Sequence, residues 1–335
     1  MMLDILRQAL ASRIGDITIQ FADETEASAF KASENIFQFL KDSGRTEDLK
    51  RLVINGVVNP LYGDMLDFIY EALTCLERRK TTVAFALLRK PLKYSQSMAT
   101  LLWADEDDFF ARLDQSPATE FDDSKIGPEK RKALLGLAIS KFDGIAPFLD
   151  PDTLYTIIYD RTNEKGLAPY FDMAAHLVTS FKPIRTQPLN FNFIFKNPND
   201  DDVYENIYFP LAYVLMYLFF LQLKTYSRMA VISESFVNWA QTALLGTFES
   251  VFDVPNGKTV ITDWVNELFE PFLNCVVCEK KMTVTKETAA RLFMAEEIVC
   301  PSCQAVQQFP LWWLLTQSDG RRNAPPDAPA TEDAQ

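Results

Sequence analysis

The sequence predicts a mainly α protein: a multi-helix domain with one small β excursion, followed by a C-terminal four-cysteine ribbon. Three observations carry that prediction. Glycine is scarce, with 11 in 335 residues, while phenylalanine reaches 26, which favours helices over a glycine-rich sandwich or a glycine-loop nucleotide fold. Apolar residues recur at helical spacing, as at Leu66, Ile69, Leu73 and Leu76, which is one face of a 3.6-residue period. Four of the five cysteines form two C-x-x-C pairs near the C-terminus.

The elements follow in chain order. A first helix leads through a short apolar patch (Ile17, Ile19, Phe21) to a second, capped by Thr25 and ending near Ser43 and Gly44. Asp64 is the expected cap of the next helix, which continues past Lys80 until Pro91 kinks or restarts it. Residues 115–129 read as a loop. Helices are expected over Lys130–Phe142, Asp152–Tyr159 and Ala168–Phe181. Leu189–Phe195 alternates apolar and polar residues and is the strand candidate. Two long helices occupy Tyr208–Lys224 and Ser233–Phe252, and a short one over Thr262–Phe272 leads into the cysteines. The expected organisation is a helical domain over 1–262, a ribbon segment over 263–317 and a disordered tail over 318–335, where Pro, Ala and acidic residues dominate.

Composition bounds the function. Hydrophobic residues are 48% and charged residues 24%, an ordinary globular balance. A formal charge of -13 argues against nucleic-acid binding by the surface at large and leaves only local basic patches for that purpose. Residues 1–13 include Asp4 and only short apolar runs, unlike a secretory signal. Ile207–Leu223 carries no charge, but Pro210, Gln222 and the acidic residues before it suit a buried core helix better than a membrane span. No membrane association is expected, and the cysteine usage places the chain in a reducing cytoplasm.

Cys275, Cys278, Cys300 and Cys303 carry the strongest chemical signal. Each C-x-x-C turn sets two thiolates on one side of a tight knuckle, and two knuckles complete the tetrahedron that Zn²⁺ prefers. The expected cofactor is therefore a structural Zn²⁺, since four thiolates leave no position for a reacting water. Four free thiols and a redox dithiol are the competing readings. The spacing between the pairs leaves room for a helix over Thr285–Met294, and Gln304 stands where such knuckles often carry glycine. Phe309, Leu311, Trp312 and Trp313 either dock the ribbon on the helical body or offer a partner surface.

Catalytic patterns are sparse. His176 is the one histidine, which excludes multi-histidine metal centres, and no phosphate-cradling glycine loop is present. His176 reads as a core histidine on a half-buried helix, or as part of a polar cleft with Arg161 and Arg185. Asp160, Thr162, Asn163, Thr179, Thr186, Asn190 and Asn192 would line that cleft, or would simply satisfy turns. Arg78, Arg79, Lys80, Arg89, Lys90 and Lys93 form a second basic group, expected to pair with carboxylates such as Asp105–Asp108.

The stretch from Val83 to Leu92 and the later His-Leu-Val-Thr run resemble HEPN-like helical proteins of bacterial defence and toxin systems. The resemblance covers about residues 60–250. Active members of that family pair an Arg with a His, four to six residues lying between them, and here Pro169, Tyr170 and Phe171 fill the required positions. It therefore implies an accessory or inactive member. The expected function is a non-enzymatic cytosolic protein with a structural zinc ribbon that binds a protein or nucleic-acid partner. The alternative is a HEPN-like RNA-processing or nucleotide-acting enzyme using Arg161, His176 and Arg185.

Overall fold

The computed structural model describes residues 1–14, 16–115, 118–121, 125–142, 144–145, 148–180, 182, 185–186, 201–252 and 259–315. The strand expected over Leu189–Phe195, Asn190 and Asn192 within it, and the tail over 318–335 lie outside the described residues. The chain separates into two compact units, Met1–Val231 and Ile232–Gln335.

The first unit is helical: α1 (Met2–Ala11), α2 (Glu24–Ala32), α3 (Ile36–Asp42), α4 (Thr46–Glu77), α5 (Thr81–Arg89), α6 (Gln96–Ala104), α7 (Glu106–Gln115), α8 (Pro128–Ser140), α9 (Pro151–Tyr159), α10 (Ala168–Ala175) and α11 (Asp201–Ser227). The single helix expected from Thr25 is two. Asp23 caps α2, and Asn35 accepts the Gln38 N–H at 3.0 Å to begin α3. Such short side-chain acceptors favour a new helix start over continuation. Asp64 caps nothing. It lies inside α4, which runs on through Pro60, and its carboxylate reaches Lys90 at 2.7 Å. At Pro91 the chain does not break. A π-helical turn over Lys90–Ser95 widens the helix between α5 and α6, which relieves the ring clash and absorbs the missing N–H.

The core of this unit is drawn from α4, α5, the π turn, α6 and α11, where Tyr62, Phe85, Leu88, Leu92, Leu101, Tyr217 and Phe220 are fully buried. Buried hydroxyls are satisfied: Tyr62 meets Thr225 at 3.2 Å, Tyr217 meets Thr100 at 2.7 Å, and Tyr226 donates to Asn59 at 2.9 Å. Burial pushes the Tyr62 and Tyr217 phenols well above their ordinary range. By length and composition α11 is apolar enough to cross a membrane, yet 72% of its apolar window is buried inside this fold. That is the burial expected of a core helix.

The second unit comprises α12 (Glu234–Val251), α13 (Val260–Leu268), α14 (Lys286–Ala295) and a hairpin of β1 (Glu297–Val299) and β2 (Val306–Gln308). The strands are antiparallel, with Ile298 opposite Gln307. The sequence placed the boundary after 262, but α12 belongs with the cysteines. Gly246 of α12 lets the Phe293 ring of α14 come so close that a Cβ there would lie 2.4 Å from it. Glu249, fully buried on α12, accepts from the Ile261 N–H at 3.0 Å and from the Thr262 N–H and hydroxyl at 2.6 Å. One carboxylate thus caps the first turn of α13, where helix N–H groups lack partners. Around these helices Val265, Phe269, Met282, Val284, Leu292, Phe293 and Ile298 close a separate core.

The tight crossing makes a prediction. Gly246→Ala is expected to destabilise the second unit by about 1–3 kcal/mol, because a new methyl must displace a buried ring. Urea denaturation checks this, and Phe293→Leu in the same chain is expected to recover part of the loss.

Candidate metal centre

The four cysteines come together. Their Sγ atoms all lie within 4.8 Å of one another. Cys275 faces Cys303 and Cys278 faces Cys300, each pair at 3.6 Å. A zinc tetrahedron with bonds of about 2.3 Å has edges of about 3.8 Å, so the thiols stand close to metal-binding distance. The same spacing is far beyond the roughly 2.05 Å of a disulfide bond, and all four cysteines are free.

The two knuckles repeat one backbone design. The Cys275 N–H donates to the Lys280 carbonyl and the Cys300 N–H to the Ala305 carbonyl, both at 2.9 Å. In return the Glu279 N–H reaches the Cys275 carbonyl and the Gln304 N–H the Cys300 carbonyl, again at 2.9 Å. Glu279 and Gln304 take left-handed φ values of 59° and 61° to close these loops. Gln304 therefore adopts the conformation that favours glycine, without a glycine. Between the knuckles, α14 forms where a helix was expected, with Thr285 and Thr288 making a reciprocal cap.

Gln307 ties the knuckles together. Its Oε1 accepts from the Val276 N–H at 2.9 Å, and its Nε2 donates to the Asn274 carbonyl at 3.0 Å. A side chain on β2 thus fixes the backbone on both sides of Cys275. Asn266 does the same from α13, donating to the Val284 carbonyl at 2.7 Å and accepting its N–H at 2.8 Å. Neither residue stands out in the sequence, since an amide clamp has no spacing signature.

The thiols are electrostatically unequal. Backbone N–H groups of Cys278 and Val277 draw Cys275 down to about 6, and the Cys303 N–H lowers Cys300. At Cys303 the Ala305 N–H acts downward, but burial and the surrounding thiols outweigh it and push this thiol up to about 12. Four sulfurs crowded together cannot all shed protons without a cation between them, which is the behaviour expected of a metal-ligand set. Lys281, six residues after Cys275, pairs with Glu270.

The polar cleft fares differently. Arg161 forms an ion pair with Asp172, which is buried on α10 and lies 4.0 Å from Arg89 on its other side. The helix expected to continue to Phe181 ends at Ala175, and His176 is an exposed cap residue in extended conformation. The core-histidine reading is thereby corrected: Ala174, Ala175, Leu177 and Val178 do not enclose it, because the chain leaves the helix there. Arg185 is exposed as well. The hydroxyl and amide side chains close turns: Asp160 accepts from the Thr162 N–H at 2.8 Å, and Thr186 accepts from the Thr179 N–H at 2.7 Å. A nearby cavity of about 500 Å³ is bordered by Thr156, Ile157, Asn163, Lys165, Glu205 and Phe209, and by none of Arg161, His176 or Arg185. His176→Ala is accordingly expected to change stability by less than about 0.5 kcal/mol, as exposed substitutions do, which thermal melting of the full chain will show.

The second basic group does pair with carboxylates, though not with Asp105–Asp108. Arg79 meets Asp201, Lys90 meets Asp64, and Arg89 approaches Asp172. Phe309 and Leu311 are buried in the second unit's own core, while Trp312 packs edge-on against Trp239 of α12 at 4.9 Å. Comparison of the chain with protein-family models, curated proteins and solved structures found no match.

Proposed function

We propose that this is a non-enzymatic cytosolic protein whose C-terminal unit is a structural zinc ribbon and whose task is to bind a protein partner. The observation that carries the zinc is the near-tetrahedral set of four free thiols at 3.6 Å cross-knuckle spacing. Zn²⁺ suits four thiolates in this geometry, and a closed four-sulfur shell supports architecture rather than chemistry. The free cysteines favour a reducing compartment.

Partner binding is supported by large apolar side chains left in solvent around the ribbon. Val276 and Val277 at the first knuckle are 78% and 68% exposed, and Met294 and Trp313 are 73% and 56% exposed. Protein is favoured over nucleic acid because Arg79, Lys90 and Arg161 already face carboxylates. The HEPN-like resemblance adds bacterial defence to this reading, as an accessory member without the RNase motif. The pairing of Arg161 with Asp172 weighs against the enzymatic alternative.

Elemental analysis of freshly purified, reduced protein tests the centre, with about one zinc per chain expected from one four-ligand site. Absence of zinc overturns the ribbon. Native purification with mass spectrometry of what accompanies the chain tests the partner. Recovery of RNA or nucleotide in place of protein overturns the reading.

A further inference from the structure

Helix α13 carries two parallel stripes. Val260, Trp264 and Leu268 stand at i, i+4 and i+8 and are 51%, 40% and 48% exposed. Residues at this spacing share one face of a helix. Beside them run Asp263 and Glu267, both exposed. The opposite face of the helix, with Thr262 and Val265, is buried in the unit's core. Glu267 also borders a concavity of about 350 Å³, in which Lys281 is paired with Glu270. An apolar ridge with an acidic margin is built to meet something apolar and basic at once.

We infer that the outer face of α13 docks a basic amphipathic helix of a partner protein. Its apolar side chains would lie along Val260, Trp264 and Leu268, and its Lys or Arg side chains over Asp263 and Glu267. This rests on the partner-binding reading above and supplies the chemistry of the partner. Charge selects among the other occupants. A second copy of α13 would bring acidic stripe against acidic stripe, and a nucleic acid would bring phosphates to the same carboxylates. The C-terminal segment from 316 to 335 contains Arg321 and Arg322 but no Leu, Ile, Val, Phe or Trp, so it lacks the anchors. Trp264 is the central contact, being a large side chain held at its inner edge by the Phe269 ring, 6.4 Å away.

The test uses the full-length, metal-loaded protein and a fluorescein-labelled helical peptide of Leu and Lys in amphipathic order, read by anisotropy. A counterpart with Glu for Lys is the charge control. The Lys peptide is expected to bind, with affinity falling as salt rises, and the Glu peptide is not. Trp264→Ala and the charge reversal Glu267→Lys are each expected to weaken binding by about tenfold or more. Leu137→Ala, an exposed leucine of the first unit, is expected to leave it unchanged. Equal binding by all variants would mean only general attraction to an acidic chain and would overturn the assignment. So would Trp264-dependent self-association, or displacement of the peptide by RNA. Unchanged zinc content in Glu267→Lys keeps the test valid if Trp264→Ala folds poorly. A natural partner that still co-purifies with both variants overturns the α13 face while leaving partner binding in place.

Discussion

Cys275→Ser is expected to abolish stoichiometric zinc binding and unfold the second unit. Cys275 is 1% exposed, at the centre of the first knuckle, and its main chain is held by Lys280 and Glu279. A serine hydroxyl does not ionise near neutral pH and cannot replace a thiolate ligand. Structural zinc contributes on the order of 10–16 kcal/mol in small zinc-binding peptides. A whole domain is stable by only about 5–15 kcal/mol. Loss of the ion therefore removes as much free energy as a unit of this size has to spare. Hydrogen exchange read by mass spectrometry should show protection vanishing over residues 232–315, and a chelator should have the same effect on the parent. Cys75, half-buried on α4 and not one of the four clustered thiols, is the control. Cys75→Ser is expected to cost about 1 kcal/mol or less, and equal damage from both substitutions would refute the ligand assignment.

Glu249→Ala should be the most damaging substitution outside the cysteines, at about 3 kcal/mol or more. The cost has two parts. Three hydrogen bonds to a carboxylate are lost, and the buried Thr262 N–H and hydroxyl are left without that acceptor. Alanine supplies neither an acceptor nor room enough for several waters. Glu249→Gln separates these effects, because its one carbonyl oxygen can still accept while its amide NH₂ faces donors. An intermediate loss is expected for Gln. If Ala and Gln are equally damaging, the shape of the side chain matters and the α13 cap does not. Chemical denaturation of zinc-loaded protein measures both.

The fold class and the four-cysteine cluster were legible in the sequence because both are written in local spacing. Helical periodicity marks α4 and α11, and C-x-x-C turns mark the knuckles. What escaped depends on contacts between residues far apart. Nothing near Asp64 announces that its carboxylate will meet Lys90 while α4 runs through it, since a capping residue and an ion-pairing residue are the same residue type. The boundary was misplaced because α12 looks like any amphipathic helix until Gly246 is seen against Phe293. His176 was misread for a related reason. Its neighbours are apolar, but the helix ends at Ala175 and His176 is extended, and apolar composition alone does not reveal where a helix stops. The buried Asp172, which draws in Arg161, lay four positions before the histidine and drew no attention as a single acid.

The hydrogen bonds from α4 to α11 have a consequence for biosynthesis. Tyr62 is matched with Thr225 and Asn59 with Tyr226, and the side-chain amide of Gln222 reaches back to the carbonyl of Met2. Residues of α1 and α4 are thus completed by residues near the end of α11. At ~5–20 residues per second, Tyr62 waits roughly 8–30 s for Thr225, the partner of its buried hydroxyl. A message truncated before α11 would yield an aggregating fragment, not a smaller folded protein.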